Sequence, residues 1–148
     1  MTGRIIVGID GSPDSKQALR WAVAQAERTG QEVHAVTAWE VPLTVVLVPT
    51  ATEQDYADHA AAVAEHELNE VLGAHPSVRV HAGTIEGRPA RVLTAMASSE
   101  DTLVIGSHGR GELPGMHLGS VASYCSRLSS KSYIWAPAAR FSISALTA

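Results

Sequence analysis

The sequence has little of several features that would define other classes of protein. It has one cysteine among 148 residues, so no internal disulfide can form, and this agrees with a reducing compartment. No run of residues approaches the roughly 18 consecutive apolar residues of a membrane helix. Residues 1–4 lead directly into a predicted strand instead of an export signal. We therefore expect a cytoplasmic protein with no membrane partner.

Basic residues are also scarce. The 11 Lys and Arg residues are outnumbered by 15 Asp and Glu residues, which leaves a net charge of −4. Because binding to a phosphate backbone requires clustered basic side chains that acids do not dilute, we expect no nucleic-acid partner. The remaining composition, 45% hydrophobic and 18% charged, is typical of a globular protein. The length fits one domain, which we expect to span residues 1–148.

Short β-branched runs alternate with amphipathic helical segments along the chain. The predicted strands are 4–9, 32–39, 78–82 and a fourth beginning at 103–105, and the predicted helices are 12–30, 52–72, 89–98 and 121–128. Such alternation indicates parallel strands joined by right-handed crossovers. We therefore predict an α/β fold with a five-stranded, mostly parallel sheet and helices on both faces. Because ligands of such sheets bind where the strand order reverses, loops 10–12 and 106–119 are expected to carry function.

The second of these loops is rich in glycine. With the first residue of the following helix it reads GSHGRGELPGMHLGS, and five of these 15 residues are Gly. Glycine at that density lets the backbone approach an anion and direct consecutive N–H groups at it. Gly119 and Ser120 open a predicted helix, whose N-terminus adds a further anion site. The loop therefore predicts a phosphate site, and a merely flexible surface loop is the alternative.

Neither a P-loop motif nor the fingerprint G-x-G-x-x-G occurs in the chain. The pattern that does occur is Gly106, two residues, Gly109, nine residues, then Gly119-Ser120. This spacing, the opening IIVGIDGSPDSKQALRWA and the stretch DTLVIGSHGRGELPGMHLGSVA resemble the ATP-binding members of the universal stress protein family over about residues 3–125. The resemblance implies one Rossmann-like domain of the adenine nucleotide alpha hydrolase type.

The resemblance also implies roles for individual residues. Adenine would lie at the ends of the first two strands, beside Ile9, Ala38 and Trp39. Asp10, followed by Gly11 and Ser12, would meet the sugar or a phosphate-bound Mg²⁺, although an ordinary Asp-Gly turn is the alternative for Asp10. The residues that would hold the phosphates of ATP are Gly106, Ser107, His108, Gly109, Arg110, Gly119, Ser120 and Val121.

Catalytic groups are few in the glycine-rich loop. Neither of the two lysines, Lys16 and Lys131, lies there, and Glu112 is its one candidate base. Because phosphoryl transfer needs positioned cations and a group that orients the nucleophile, we expect ATP and Mg²⁺ to be held, not turned over quickly. The prediction is a nucleotide-dependent stress-response regulator that is not an enzyme and acts on an unidentified protein partner. A slow ATPase or phosphotransferase and a nucleotide-free dimeric scaffold are the alternatives.

The histidines predict no further metal site. His59 and His66 lie seven residues apart on a predicted helix, and neither has a His or Cys partner four residues on. They are expected to be solvated. Asp10 is therefore the one metal ligand that we predict.

The chain after about residue 125 departs from the family pattern. Relatives usually continue with a Cys-Pro or similar turn and a valine-rich fifth strand that often pairs across a dimer. Here residues 132–135 and 140–144 are the strand candidates, within a serine-rich segment. This segment is either a divergent edge strand or a tail with no counterpart in relatives. We expect a homodimer, because symmetric dimers are the commonest assembly.

Overall fold

The computed structural model describes residues 3–42, 51–73, 77–106, 120–128 and 132–135. Strands and helices alternate along these residues, as the sequence predicts. In chain order the elements are β1 (Ile5–Gly8), α1 (Pro13–Thr29), β2 (Val33–Trp39), α2 (Glu53–Leu72), β3 (Val80–Glu86), α3 (Pro89–Met96), β4 (Thr102–Gly106), α4 (Ser120–Leu128) and β5 (Ser132–Trp135).

The five strands form one sheet in the order β3-β2-β1-β4-β5, and every neighbouring pair is parallel. The predicted five-stranded sheet is confirmed, and β5 lies in the atypical C-terminal segment, at the first of the two strand candidates. The second candidate, 140–144, lies outside the described residues. The strand order reverses between β1 and β4, so the carboxyl ends of these two strands lie side by side.

Helices cover both faces of this sheet. Alternate residues of β1 face opposite sides, so that Ile5 and Val7 pack with α1 and α2, whereas Ile6 packs with α3 and α4. Cys125 is fully buried in the second of these cores, and burial raises the pKa of its thiol to about 11. Its thiol therefore stays protonated at neutral pH.

The third strand differs from its predicted bounds, 78–82. It runs from Val80 to Glu86, paired with β2 along its whole length, and most of its side chains are exposed. The prediction ended too early because Gly83 and Thr84 interrupt the apolar pattern. At the edge of the sheet, backbone pairing with a buried neighbour extends a strand without apolar side chains. None of the described helices combines the length and the apolar character that crossing a bilayer requires.

Candidate functional site

The loop between β1 and α1 is a tight, fully hydrogen-bonded turn. Gly11 has φ 81°, in the left-handed region that favours glycine. The Asp10 carboxylate accepts a hydrogen bond from the Ser12 N–H at 2.9 Å, and the Ser12 side chain caps α1 by accepting from the Ser15 N–H at 3.2 Å. Asp10 therefore does satisfy a loop amide, which was the structural alternative for this residue. Its role as a Mg²⁺ ligand stays a prediction.

A buried carboxylate of α2 accepts hydrogen bonds from this loop and from the first turn of α1. Glu67 is fully buried, and its Oε1 accepts from the Gly11 N–H at 2.9 Å and from the Ser15 hydroxyl at 2.8 Å. The Ser15 hydroxyl accepts in turn from the Asp10 N–H at 3.0 Å. The amides of Asp10, Gly11 and Ser12 therefore all donate to protein groups. Because these three backbone N–H groups are engaged within the protein, the predicted phosphate contacts rest on the glycine-rich loop.

Glu67 lies on the apolar face of α2, where an amphipathic pattern predicts no acid. It follows the buried residues Ala60 and Ala64 on the same face. The signal was present, since positions 60, 64 and 67 have the spacing of one helical face. Burial raises the pKa of Glu67, while hydrogen bonds from Ser15 and Gly11 oppose that shift.

The end of β4 lies directly against the first turn of α1. A Cβ atom at Gly106 would lie 2.8 Å from the Cβ atom of Asp14, 2.9 Å from its carbonyl carbon and 3.1 Å from the amide nitrogen of Ser15. Only glycine fits this approach without displacing backbone. Gly106, the first residue of the predicted phosphate loop, therefore lies beside the loop that holds Asp10.

The rest of the predicted phosphate loop is described only at its far end. Residues 107–119 lie outside the described residues, so Ser107, His108, Gly109, Arg110 and Gly119 stay predictions, as does Glu112 as a candidate base. Helix α4 begins at Ser120, as predicted. The side chain of Val121 packs against the second core, which leaves its backbone for any contact with a phosphate.

The predicted adenine side of the site lies at the carboxyl ends of β1 and β2. Ile9 is buried, and its N–H donates to the Val36 carbonyl at 2.9 Å, which fixes the exit from β1 beside β2. Trp39 at the end of β2 borders a cleft, and its carbonyl accepts from the Gly87 N–H at 2.8 Å. The other residues that line this cleft are Thr52, Glu53, Gln54 and Ala57.

Comparison with known proteins gives the family. Residues 1–134 match the sequence profile described as "Universal stress protein family". Universal stress protein Rv2005c of Mycobacterium tuberculosis is 40% identical over 127 residues, which cover 80% of this chain and 40% of that protein. Universal stress protein Rv1996 of the same organism is 37% identical over 122 residues, which cover 80% of this chain and 38% of that protein.

Solved structures share the fold. Universal stress protein UspA from Lactobacillus plantarum has a TM-score of 0.73 at 18% identity, covering 90% of this chain and 96% of its own. A universal stress protein in complex with cAMP has a TM-score of 0.66 at 22% identity, and the match covers 90% of this chain and 95% of that one. The universal stress protein from Archaeoglobus fulgidus in complex with dAMP has a TM-score of 0.64 at 17% identity, and the match covers 90% of this chain and 96% of that one.

The chain therefore belongs to the universal stress protein family, as the residues at its two loops indicate. Its fold is the Rossmann-like α/β fold of that family. The chain spans about two-fifths of the length of the curated relatives it matches.

Proposed function

We propose that this chain binds ATP with Mg²⁺ at the carboxyl ends of β1 and β4 and acts as a nucleotide-dependent regulator of a stress response. The observation that carries the proposal is the contact of Gly106 with the first turn of α1, which joins the two loops where the strand order reverses. The complexes of similar folds with cAMP and dAMP support an adenine nucleotide as the ligand.

The described residues suit different parts of that ligand. The backbone at Ala38 and Trp39 would frame the base, and the Asp10 carboxylate would face the sugar or the Mg²⁺ ion. Glu67 keeps this part of the site rigid by holding the amide of Gly11. Because the amides of residues 10–12 already donate within the protein, the glycine-rich loop and the N-terminus of α4 would bind the phosphates.

Mass spectrometry of small molecules released from the purified protein tests this proposal. We expect an adenine nucleotide, and ATP in particular, at a molar ratio close to one per chain. Recovery of a different cofactor class, such as NAD, would contradict the proposal. If nothing is recovered and added ATP is not retained through gel filtration, the scaffold alternative is favoured instead.

We further propose that ATP turnover is slow and that the chain works in the cytoplasm as a homodimer on a protein partner. None of the residues described at the loops provides a lysine for the γ-phosphate, and Glu67 already accepts hydrogen bonds from the Gly11 amide and the Ser15 hydroxyl. Single-turnover hydrolysis of labelled ATP measures the rate. A value near the roughly 10 s⁻¹ median of ordinary enzymes would favour the ATPase alternative.

A further inference from the structure

Two histidines and a glutamate meet at the amino ends of β2 and β3. His34 and His81 are register partners on these strands, and their rings stack with centroids 4.8 Å apart and an interplanar angle of 30°. Glu32 precedes β2, and its Oε2 lies 3.8 Å from the Nε2 of His34 and 3.4 Å from the Nε2 of His81. One potential ligand atom from each of the three residues lies within 4.8 Å of the other two.

The cluster has unused bonding capacity. The Nε2 atom of His34 is buried and has no hydrogen-bond partner among the described residues, since 3.8 Å to Glu32 exceeds the reach of a hydrogen bond. Arg79 donates to the Oε1 of Glu32 at 2.8 Å, which leaves Oε2 directed at the two imidazoles. Buried nitrogen atoms without a partner are rare in native proteins and call for an explanation.

We propose that Glu32, His34 and His81 form a binding site for a divalent zinc-type ion. Two imidazoles and one carboxylate are ligands that Zn²⁺ takes, with a water in the fourth position, whereas Mg²⁺ and Ca²⁺ prefer oxygen atoms alone. Bonds of 2.0–2.1 Å place two ligand atoms of a tetrahedral site about 3.3 Å apart. The 3.4 Å between the Oε2 of Glu32 and the Nε2 of His81 is close to that value, whereas the 3.8 Å to the Nε2 of His34 is longer. The Glu32 and His81 side chains are both partly exposed, so they can shift toward the buried nitrogen of His34 when an ion binds.

The surrounding charges bear on how tightly the ion is held. Burial lowers the pKa of His34, and the positive charge of Arg4 lowers it further, which favours the neutral imidazole that metal binding requires. Arg79 and Arg4 also repel a cation, which offsets part of the attraction of the single carboxylate.

This site is separate from the nucleotide loops, because it lies at the amino ends of the strands and those loops follow the carboxyl ends. A bound ion would join the edge strand β3 to its neighbour β2. It would therefore stabilise the edge of the sheet, since a ligand that binds the folded state alone raises its stability. Failure of ATP binding would leave this proposal unaffected.

Titration of the metal-free full chain with zinc chloride tests the site. Calorimetry measures the binding, and thermal unfolding measures the melting temperature with and without zinc. We expect one ion per chain and a rise in melting temperature. His81→Ala should weaken binding at least about 100-fold, with its fold confirmed by circular dichroism, and Glu32→Gln should weaken it in the same direction. His66→Ala is the matched control, because the exposed His66 also lies 3.8 Å from a glutamate, Glu70, but has no second histidine beside it among the described residues.

Three results would overturn the proposal. The first is no zinc binding below about 1 mM, which corresponds to roughly −4 kcal/mol. The second is zinc binding that His81→Ala and Glu32→Gln leave unchanged, since the ion would then lie elsewhere. The third is an equal loss in His66→Ala, which would mark nonspecific surface binding.

Discussion

At the scale of single residues, a buried acid fixes the geometry of the first loop. Glu67 accepts hydrogen bonds from the Gly11 amide and the Ser15 hydroxyl, and both use its Oε1 atom. A single oxygen atom can therefore satisfy both donors. The negative charge is not required for these two hydrogen bonds. The pairing of donors with acceptors determines the conformation of the loop.

Glu67→Ala should destabilise the protein by about 3 kcal/mol, because it leaves the buried Ser15 hydroxyl and the partly buried Gly11 amide without an acceptor. Glu67→Gln keeps an oxygen at the position of Oε1 and is the matched control, for which we expect a loss below about 1 kcal/mol. Urea unfolding measures both changes. Equal losses in the two variants would show that the charge, and not the hydrogen bonding, supports the loop.

The pairing of Arg4 with Asp101 predicts acid sensitivity. Burial alone raises the pKa of Asp101, but hydrogen bonds from the Arg4 side chain and from the amides of Ser98 and Arg4 outweigh burial and lower it well below its usual 3.8. A depressed pKa in the folded state contributes stability that is present above the usual pKa and is lost as the pH falls below it.

Asp101→Asn should therefore lower the free energy of unfolding by about 2 kcal/mol at pH 7, and the difference should shrink as the pH falls below about 4. Unfolding by urea between pH 2 and 7 measures it. Asp58→Asn is the control, because it removes an exposed carboxylate of α2 in place of a buried one. A difference that stays constant with pH would show that ionisation of Asp101 does not contribute.

At the scale of elements, the end of β4 contacts the first turn of α1, so that Gly106 lies beside the helix that follows the first predicted functional loop. Gly106→Ala should displace the first turn of α1, since the added carbon meets the Cβ atom and the backbone of Asp14 below 3.0 Å. We expect a destabilisation of about 1–3 kcal/mol. ATP binding should fall with it. Gly83→Ala is the control, because a Cβ atom there meets no atom within 4 Å.

A comparison of these two variants by thermal unfolding and ATP titration separates the effects. Similar stabilities for the two variants would show that the first turn of α1 moves away from residue 106 at little cost in free energy. A destabilised Gly106→Ala variant that binds ATP normally at low temperature would show that the contact between β4 and α1 does not shape the nucleotide site.

Elements were more predictable from sequence than the contacts between them. The β-branched runs before Asp10 and Gly106 identified the buried strands, and glycine spacing identified the family. The pairing of His34 with His81 was missed, because it depends on the register between two strands and no spacing along the chain reveals it. The role of Glu67 was missed because its hydrogen-bond donors, the Gly11 amide and the Ser15 hydroxyl, lie far away in the sequence. The sequence alone does not show that they meet this acid.

At the scale of the whole molecule, β5 is an edge of the described sheet. An exposed strand edge is a template for pairing with a second chain. Because β5 occupies residues 132–135, a chain ending after Leu128 lacks this strand and leaves β4 at that edge of the described sheet. This cut therefore tests the atypical segment together with its edge strand.

We predict that the full chain is a dimer and that the chain ending after Leu128 is a monomer, because the atypical C-terminal segment is expected to decide the oligomeric state. Light scattering of both at the same concentration measures this. Circular dichroism serves as the control for folding of the shortened chain. Equal masses for the two chains would rule out the tail as the dimer contact.

Nucleotide binding itself is the central claim, and calorimetric titration of the full chain with ATP and Mg²⁺ measures it most directly. We predict one ATP per chain with a dissociation constant near 1–10 μM, or roughly −7 to −8 kcal/mol, and weaker binding of GTP and NAD. Asp10→Ala should reduce the binding free energy by about 1–3 kcal/mol. Absence of ATP binding below about 1 mM, or binding of NAD in preference to ATP, would contradict the account.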